Sequence, residues 1–151
     1  MDFRIATRAD VPAVLELLAD DAISRERGYG TVPAKIDDAI WAAFEAIDAD
    51  PRNELIVAVE DGVVAGTCQL TYIPGLSRGG ALRMLVEAVR IRSDRRGRGL
   101  GAAMMRWTIE RARERGCRMV QLTTDKRRTD AHRFYERLGF TASHEGMKLP
   151  L

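Results

Sequence analysis

Apolar residues along the chain fall into two rhythms. Alternating or dense apolar runs predict strands in "FRIAT" near the N-terminus, in "LRMLVEAVRIR" over 82–92 and in "RMVQLTT" over 118–124. The stretch "ELIVAVEDGVVAGTCQLTYI" reads as two more strands joined by Asp61-Gly62, a pair suited to a type I′ hairpin. "FTASHEGMKLPL" is expected to supply a terminal strand. Spacings of three and four predict helices. Val14, Leu15, Leu17 and Leu18 follow Asp10 as an N-cap and Pro12 in a first turn. Ile36, Ile40, Trp41, Phe44 and Ile47 mark a second helix, from Ala34 to Ile47, before the turn "DADPRN". A third runs from Leu100 to Arg115 and stops at Gly116. The last, from Thr129 or Asp130 to Leu138, carries Ala131, Phe134, Tyr135 and Leu138 on one stripe and stops at Gly139. The order β-α-α-β-β-β-α-β-α-β implies a mixed sheet covered by helices, an α/β or α+β single domain over residues 1–151.

Charge changes the picture. Residues 1–75 hold six Lys and Arg against fourteen Asp and Glu, whereas residues 76–151 hold eighteen against eight. The second half therefore suits an anionic partner. No apolar run reaches the roughly 20 residues of a membrane helix, and no secretory leader is evident, which predicts a cytoplasmic protein with no membrane partner. Cys68 and Cys117 lack metal or disulfide spacing, so no metal is expected and both read as reduced, buried thiols.

The basic half concentrates its signal in "SDRRGRGLGAAMMRW". Arg95, Arg96 and Arg98 interleave with Gly97, Gly99 and Gly101 between a strand and a helix start. The first turn of a helix presents backbone N–H groups without partners, and glycine lets a phosphate approach them. The loop thus reads as a diphosphate site. It is not a Walker loop, and its GxGxG spacing, after a strand holding Arg83, Glu87 and Arg90, departs from the dinucleotide fingerprint.

Arg96-x-x-Gly99-x-Gly101 resembles motif A of the GNAT N-acetyltransferase superfamily, [Q/R]-x-x-G-x-[G/A]. "DAHRFYERLGF" resembles its motif B, A-x-x-x-Y-x-x-x-G-F, through Ala131, Tyr135, Gly139 and Phe140. The resemblance implies a mostly antiparallel sheet splayed between the strands at 82–92 and 118–124. It also implies acetyl-CoA as acetyl donor. The cofactor-binding residues would be Arg96, Gly97, Arg98, Gly99, Leu100, Gly101 and Ala102 around the diphosphate, with the Val89 and Ile91 backbone pairing with the pantetheine arm. Glu87 would serve as base and Tyr135 as general acid, with an oxyanion held by a backbone N–H near Val89. Where the family often has Asn, three residues before the motif B alanine, this chain has Arg128, and Arg127, Arg128 or Arg133 offer a phosphate contact instead.

The function so implied is acetyl transfer to a primary amine of a small molecule or amino acid by direct attack in a ternary complex. A lysine-like amine is mostly protonated at neutral pH, so a base is needed. Asp20, Asp21 and Glu26 are expected near the acceptor entrance, where they would draw in a cationic amine. Glu87 also reads as a strand carboxylate paired with Arg83 or Arg90, and Tyr135 as a core aromatic. His132 and His144 are further candidate bases, or solvated side chains. A silent acyl-CoA-binding sensor of the same fold stays open, as does a homodimer. Nucleic acid is not expected as a partner, because no aromatic residues interleave with the basic ones.

Overall fold

The computed structural model describes every residue except Tyr29, Thr31 and Pro33. The elements are β1 (Asp2–Ile5), α1 (Val11–Ala19), α2 (Ala22–Glu26), α3 (Asp38–Ala49), β2 (Asn53–Glu60), β3 (Val63–Ile73), α4 (Ser77–Gly80), β4 (Arg83–Ile91), α5 (Leu100–Glu114), β5 (Met119–Leu122) and α6 (Thr129–Arg137). Five strands form one sheet in chain order, β1-β2-β3-β4-β5. The first four form an antiparallel meander. The Arg118 N–H donates to the Leu82 carbonyl (2.9 Å), so β4 and β5 begin side by side. With α5 as the crossover between them they run parallel, which makes the sheet mixed. The chain divides into two compact units, Met1–Gln121 and Leu122–Leu151.

The first unit holds the core. Ile56, Val57 and Ala58 are consecutive and wholly buried, so β2 is covered on both faces and reads as an apolar run instead of an alternation. Met104, Met105 and Thr108 are the fully buried residues of α5, and the Thr108 hydroxyl lies 4.0 Å from the Cys68 thiol. Burial pushes the Cys68 pKa up to about 12, the state of an inert core thiol. The β2–β3 hairpin turns as expected, with Asp61 and Gly62 both at positive φ (52° and 76°).

Helix starts follow their caps. The Asp37 carboxylate accepts from the Ala39 N–H (3.0 Å), so α3 begins at Asp38, four residues after the sequence expectation. Asp21 likewise accepts from the Ser24 N–H (3.2 Å) and opens α2, a five-residue helix too short to show a periodicity. Asp10 does not cap α1 with its side chain. Its carboxylate turns back to accept from the Thr7 N–H and hydroxyl (2.7 and 2.9 Å) and from both Arg4 guanidinium nitrogens (2.7 and 2.9 Å).

That arrangement predicts an acid dependence. The hydrogen bond from Arg4 outweighs burial and lowers the Asp10 pKa from 3.8 to about 2. The folded value lies below the unfolded one, so the stabilisation is present above about pH 4 and lost as pH falls through about 2. A shift of this size corresponds to about 2 kcal/mol. Urea titrations from pH 5 to pH 2 should therefore show wild type losing that much more stability than Asp10→Asn. Parallel pH curves for the two proteins would refute the assignment.

The second unit holds α6 and the C-terminal residues. The expected terminal strand does not form. Residues 140–151 adopt no strand, and Met147, Leu149 and Leu151 are all exposed. Their alternation is the pattern of a strand with one buried face, but a register is specified only where that face is covered. Pro150 also lacks a ladder donor.

Candidate functional site

Opposite β3, strand β4 keeps a simple register up to Glu87, which faces Gln69, and resumes with Arg90 opposite Thr67. Between those pairs β3 contributes only Cys68, whereas β4 contributes Ala88 and Val89. The extra residue is a β-bulge, and Ala88 takes a positive φ of 52° to make it. An alanine gives no warning of such a conformation in the sequence. Beyond the bulge the Arg92 N–H donates to the Ala65 carbonyl (2.9 Å), which makes residues 92 and 65 a hydrogen-bonded pair. Ile91, opposite Gly66, is then a non-bonded position, and its N–H and C=O point away from β3. A Cβ on Gly66 would stand 2.8 Å from the Ile91 Cδ1 and 3.2 Å from the Arg90 carbonyl oxygen, so a larger residue there would require the Ile91 side chain to shift.

On the other side of β4 the neighbour is short. β5 has four residues against nine in β4, and the two strands start together. The last residues of β4, Ala88 to Ile91, therefore extend past the end of β5. The expected opening between these strands takes this form, an edge of backbone positioned to pair with an extended ligand. The Val89 carbonyl accepts from the Arg90 guanidinium (2.9 Å) and the Ile91 carbonyl from Arg96 Nε (3.0 Å), each retaining a second lone pair.

The glycine loop follows. Gly97 and Gly99 have φ of 74° and 84°, and Gly99 is the N-cap of α5. No side chain caps this helix, so the amides of Leu100, Gly101 and Ala102 keep their donors for a ligand. Among the described residues nothing lies within 4 Å of a Cβ built on either glycine, which leaves the approach to those amides open. The loop arginines divide into two groups. Arg92 pairs with Asp94 (2.9 Å) and Arg95 with Glu60 (2.8 Å). Arg96 uses Nε on the Ile91 carbonyl and Nη2 on the Asp20 carbonyl (both 3.0 Å), bracing the end of β4 against the end of α1. Arg98 is exposed and, among the described residues, pairs with no carboxylate, so it is the loop cation left to meet an anion.

The acids expected to face an amine are engaged by the chain itself. Asp20 accepts from the Ser93 N–H (3.2 Å) and lies 3.8 Å from Arg96; the hydrogen bonds from Ser93 hold its carboxyl below the usual range. Asp21 caps α2 and meets Arg90 at 3.5 Å. Glu87, by contrast, is exposed at the last paired position before the bulge, and among the described residues neither Arg83 nor Arg90 pairs with it. Together, Glu87, Val89, Ile91 and the loop from Arg96 to Ala102 form a continuous surface of the first unit.

Tyr135 belongs to the second unit. Its half-buried ring packs edge-on against Phe134 (5.1 Å) and Phe140 (5.7 Å), and its carbonyl accepts from the Leu138 and Phe140 N–H groups (3.0 and 3.1 Å). Arg127 is held by Asp125 (3.1 Å) and Arg133 by Asp130 (3.4 Å). The His132 Nε2 is buried and, among the described residues, has no hydrogen-bond partner, whereas exposed His144 meets the Ser143 hydroxyl (2.7 Å). No group of three or more potential metal ligands occurs among the described residues, and none of their helices is long and apolar enough to cross a membrane.

Sequence reasoning passed over a buried ionic cluster. Glu54, 5 % exposed, accepts from Arg111 through both oxygens (2.6 and 2.7 Å) and from the Tyr72 hydroxyl (2.9 Å), with Arg115 at 3.5 Å. Burial alone would push its carboxyl up, but the bonds from Arg111 and Tyr72 and the two guanidinium charges bring it below the usual range. Arg111 and Arg115 come from the end of α5 and its C-cap, so the cluster fixes the helix that carries the loop at its other end.

Known proteins share this fold. A protein of Bacillus halodurans C-125 described as a transcriptional regulator superposes with a TM-score of 0.94 at 44% identity over 99% of both chains. A Trypanosoma brucei acetyltransferase does so at 0.79 and 27% identity, again over 99% of both. An aminoalkylphosphonate N-acetyltransferase of Salmonella typhimurium is 29% identical over 95% of this chain and 86% of its own. A glucosamine 6-phosphate N-acetyltransferase of Trypanosoma brucei brucei is 34% identical over 60% and 59%. Residues 12–140 match the model of the acetyltransferase (GNAT) family. With most of its length matched, and with the mixed sheet, bulged central strand and glycine-opened helix in place, the chain belongs to the GNAT acetyltransferase family.

Proposed function

We propose that the protein transfers an acetyl group from acetyl-CoA to the primary amine of a small molecule by direct attack within a ternary complex, and that residues 1–151 work as one domain. The observation that carries this reading is the β4 edge beyond β5, continuous with uncapped amides at the start of α5. The residues present fit the donor. The amides of Leu100 to Ala102 and the Arg98 guanidinium suit its diphosphate, with Gly97 and Gly99 leaving room. The Val89 and Ile91 backbone suits its pantetheine amides. Arg96 holds the loop through two of its five N–H donors, and the others remain for an anion.

Acetyl-CoA, when bound, supplies the thioester carbonyl. Glu87 takes the proton of the incoming ammonium, directly or through water, so that a neutral amine attacks. A backbone N–H near Val89, in the bulge, stabilises the developing oxyanion. Tyr135 donates its phenolic proton to the departing thiolate. The named acceptors of two relatives, an aminoalkylphosphonate and glucosamine 6-phosphate, support a small amine as substrate. The name of the Bacillus halodurans relative raises a regulatory reading, but Arg92, Arg95 and Arg96 are held by protein groups and do not form a free basic patch.

Gly99→Val tests the donor site. The branched side chain enters the space before the α5 amides, and acetyl-CoA affinity should fall about tenfold or more. At φ 84° the substitution also costs about 1–2 kcal/mol of stability, so the variant should stay folded with a melting temperature a few degrees lower. Unchanged affinity by calorimetry in a folded variant would remove the loop from the donor site.

A further inference from the structure

At the opposite end of β4 from the glycine loop lies a second cavity of about 170 Å³, lined by Ser77, Arg78, Leu82, Arg83, Arg118 and Met119. Three arginines thus line one small space. Among the described residues no carboxylate pairs with any of them. Arg83 Nε is buried and, among the described residues, has no hydrogen-bond partner. The side-chain contact of Arg78 is to the Met119 thioether (3.6 Å), a weak acceptor. Arg78 itself stands at φ 55°, ψ 38°, a left-handed conformation that costs a residue with a side chain some energy. Buried N–H donors normally have partners, and like charges normally acquire counter-ions. Among the described residues this cluster has no carboxylate counter-ion, and Arg83 Nε has no partner.

We propose that this cavity binds a small dianionic group of the phosphate or phosphonate class. Guanidinium forks match the oxygens of such a group bidentately, and three of them favour a double negative charge over a carboxylate. The group is not the diphosphate of the acetyl donor, because Arg83 and Ile91 stand eight residues, roughly 26 Å, apart along β4. Glu87, however, lies only four residues from Arg83, on the same face by alternation and roughly 13 Å along the strand. The long side chains of Arg83 and Glu87 cover much of that interval, so the anion is either the tail of the acceptor amine or free inorganic phosphate. The acceptor source rests on the acetyltransferase reading, whereas anion binding itself does not.

The test has two arms. Calorimetry with methylphosphonate and with inorganic phosphate, without acetyl-CoA and in a buffer free of other oxyanions, should show saturable, mutually competitive binding to wild type. Arg83→Gln and Arg118→Gln should each weaken it at least about tenfold, about 1.4 kcal/mol, and Arg106→Gln, an exposed arginine of α5 outside the cavity, should not. Arg118 is exposed, so its variant reports even if Arg83→Gln does not fold. Absence of saturable binding, or equal binding by a folded Arg118→Gln variant, overturns the proposal. In the second arm, 2-aminoethylphosphonate is compared with ethylamine as acceptor. A rise in KM for the phosphonate alone in Arg118→Gln, at unchanged kcat, assigns the anion to the acceptor. Loss of methylphosphonate binding with no such change in KM assigns it to free phosphate. Anion binding in a protein that acetylates neither amine retains the site and counts against the acetyltransferase reading instead.

Discussion

Glu87→Gln is expected to lower kcat roughly 10²- to 10⁴-fold at neutral pH, the range for loss of a general base, with acetyl-CoA affinity unchanged. Glu87 is exposed, and among the described residues it pairs with neither Arg83 nor Arg90, so the melting temperature should not move. The deficit should shrink as pH approaches about 10, where an alkylamine deprotonates unaided. Full activity of the variant at pH 7 would transfer the role to His144 or to water. Tyr135→Phe offers the matching test of the acid. It keeps the ring and its edge contacts with Phe134 and Phe140, so a core role predicts a loss of about 1 kcal/mol at most and normal turnover. A thiolate-protonating role predicts normal melting and a large loss of kcat, which is the expected result. A less stable but fully active variant would remove Tyr135 from the mechanism.

The largest effect on stability is expected at Arg111. Arg111→Met leaves the buried Glu54 carboxylate without its bidentate partner, and breaking such a pair from one side costs about 3–5 kcal/mol. For a chain of this length that lowers Tm by roughly 6 to 20 °C. Replacing both partners, Arg111→Met with Glu54→Leu, should recover much of the loss, because no charge is then left buried. Chemical denaturation of the three proteins decides the matter. A single-variant loss below about 1 kcal/mol would show the cluster to be solvated.

How far these features were legible depends on whether a local pattern stood for them. The hairpin was readable because Asp61-Gly62 has a backbone preference of its own, and the turn into α5 because glycine supplies the positive φ that Gly97 and Gly99 adopt there. The bulge was not, since Ala88 reaches its positive φ under the constraint of the strands around it. Glu54 opens an apolar run and looks like the polar edge of a strand, and its partners lie 57 and 61 residues away on α5 and its C-cap. Asp20 and Asp21 looked like free acids for the same reason: their partners, Ser93, Arg96 and Arg90, come from a distant part of the chain. The terminal strand fails in the opposite direction, a sound alternation with no covered face to bury.

Arg96 gives the motif itself a grammar. The motif tolerates glutamine or arginine at this position, two residues of different charge and length. In this structure the arginine acts as a planar bracket, sending separate N–H groups to the Ile91 and Asp20 carbonyls. The guanidinium reaches both carbonyls because its donors sit on separate nitrogens of one plane, whereas a lysine ammonium, like the NH2 of a glutamine amide, offers its donors from a single nitrogen. A substitution that keeps only the positive charge would therefore give up the fork that ties the end of β4 to the end of α1.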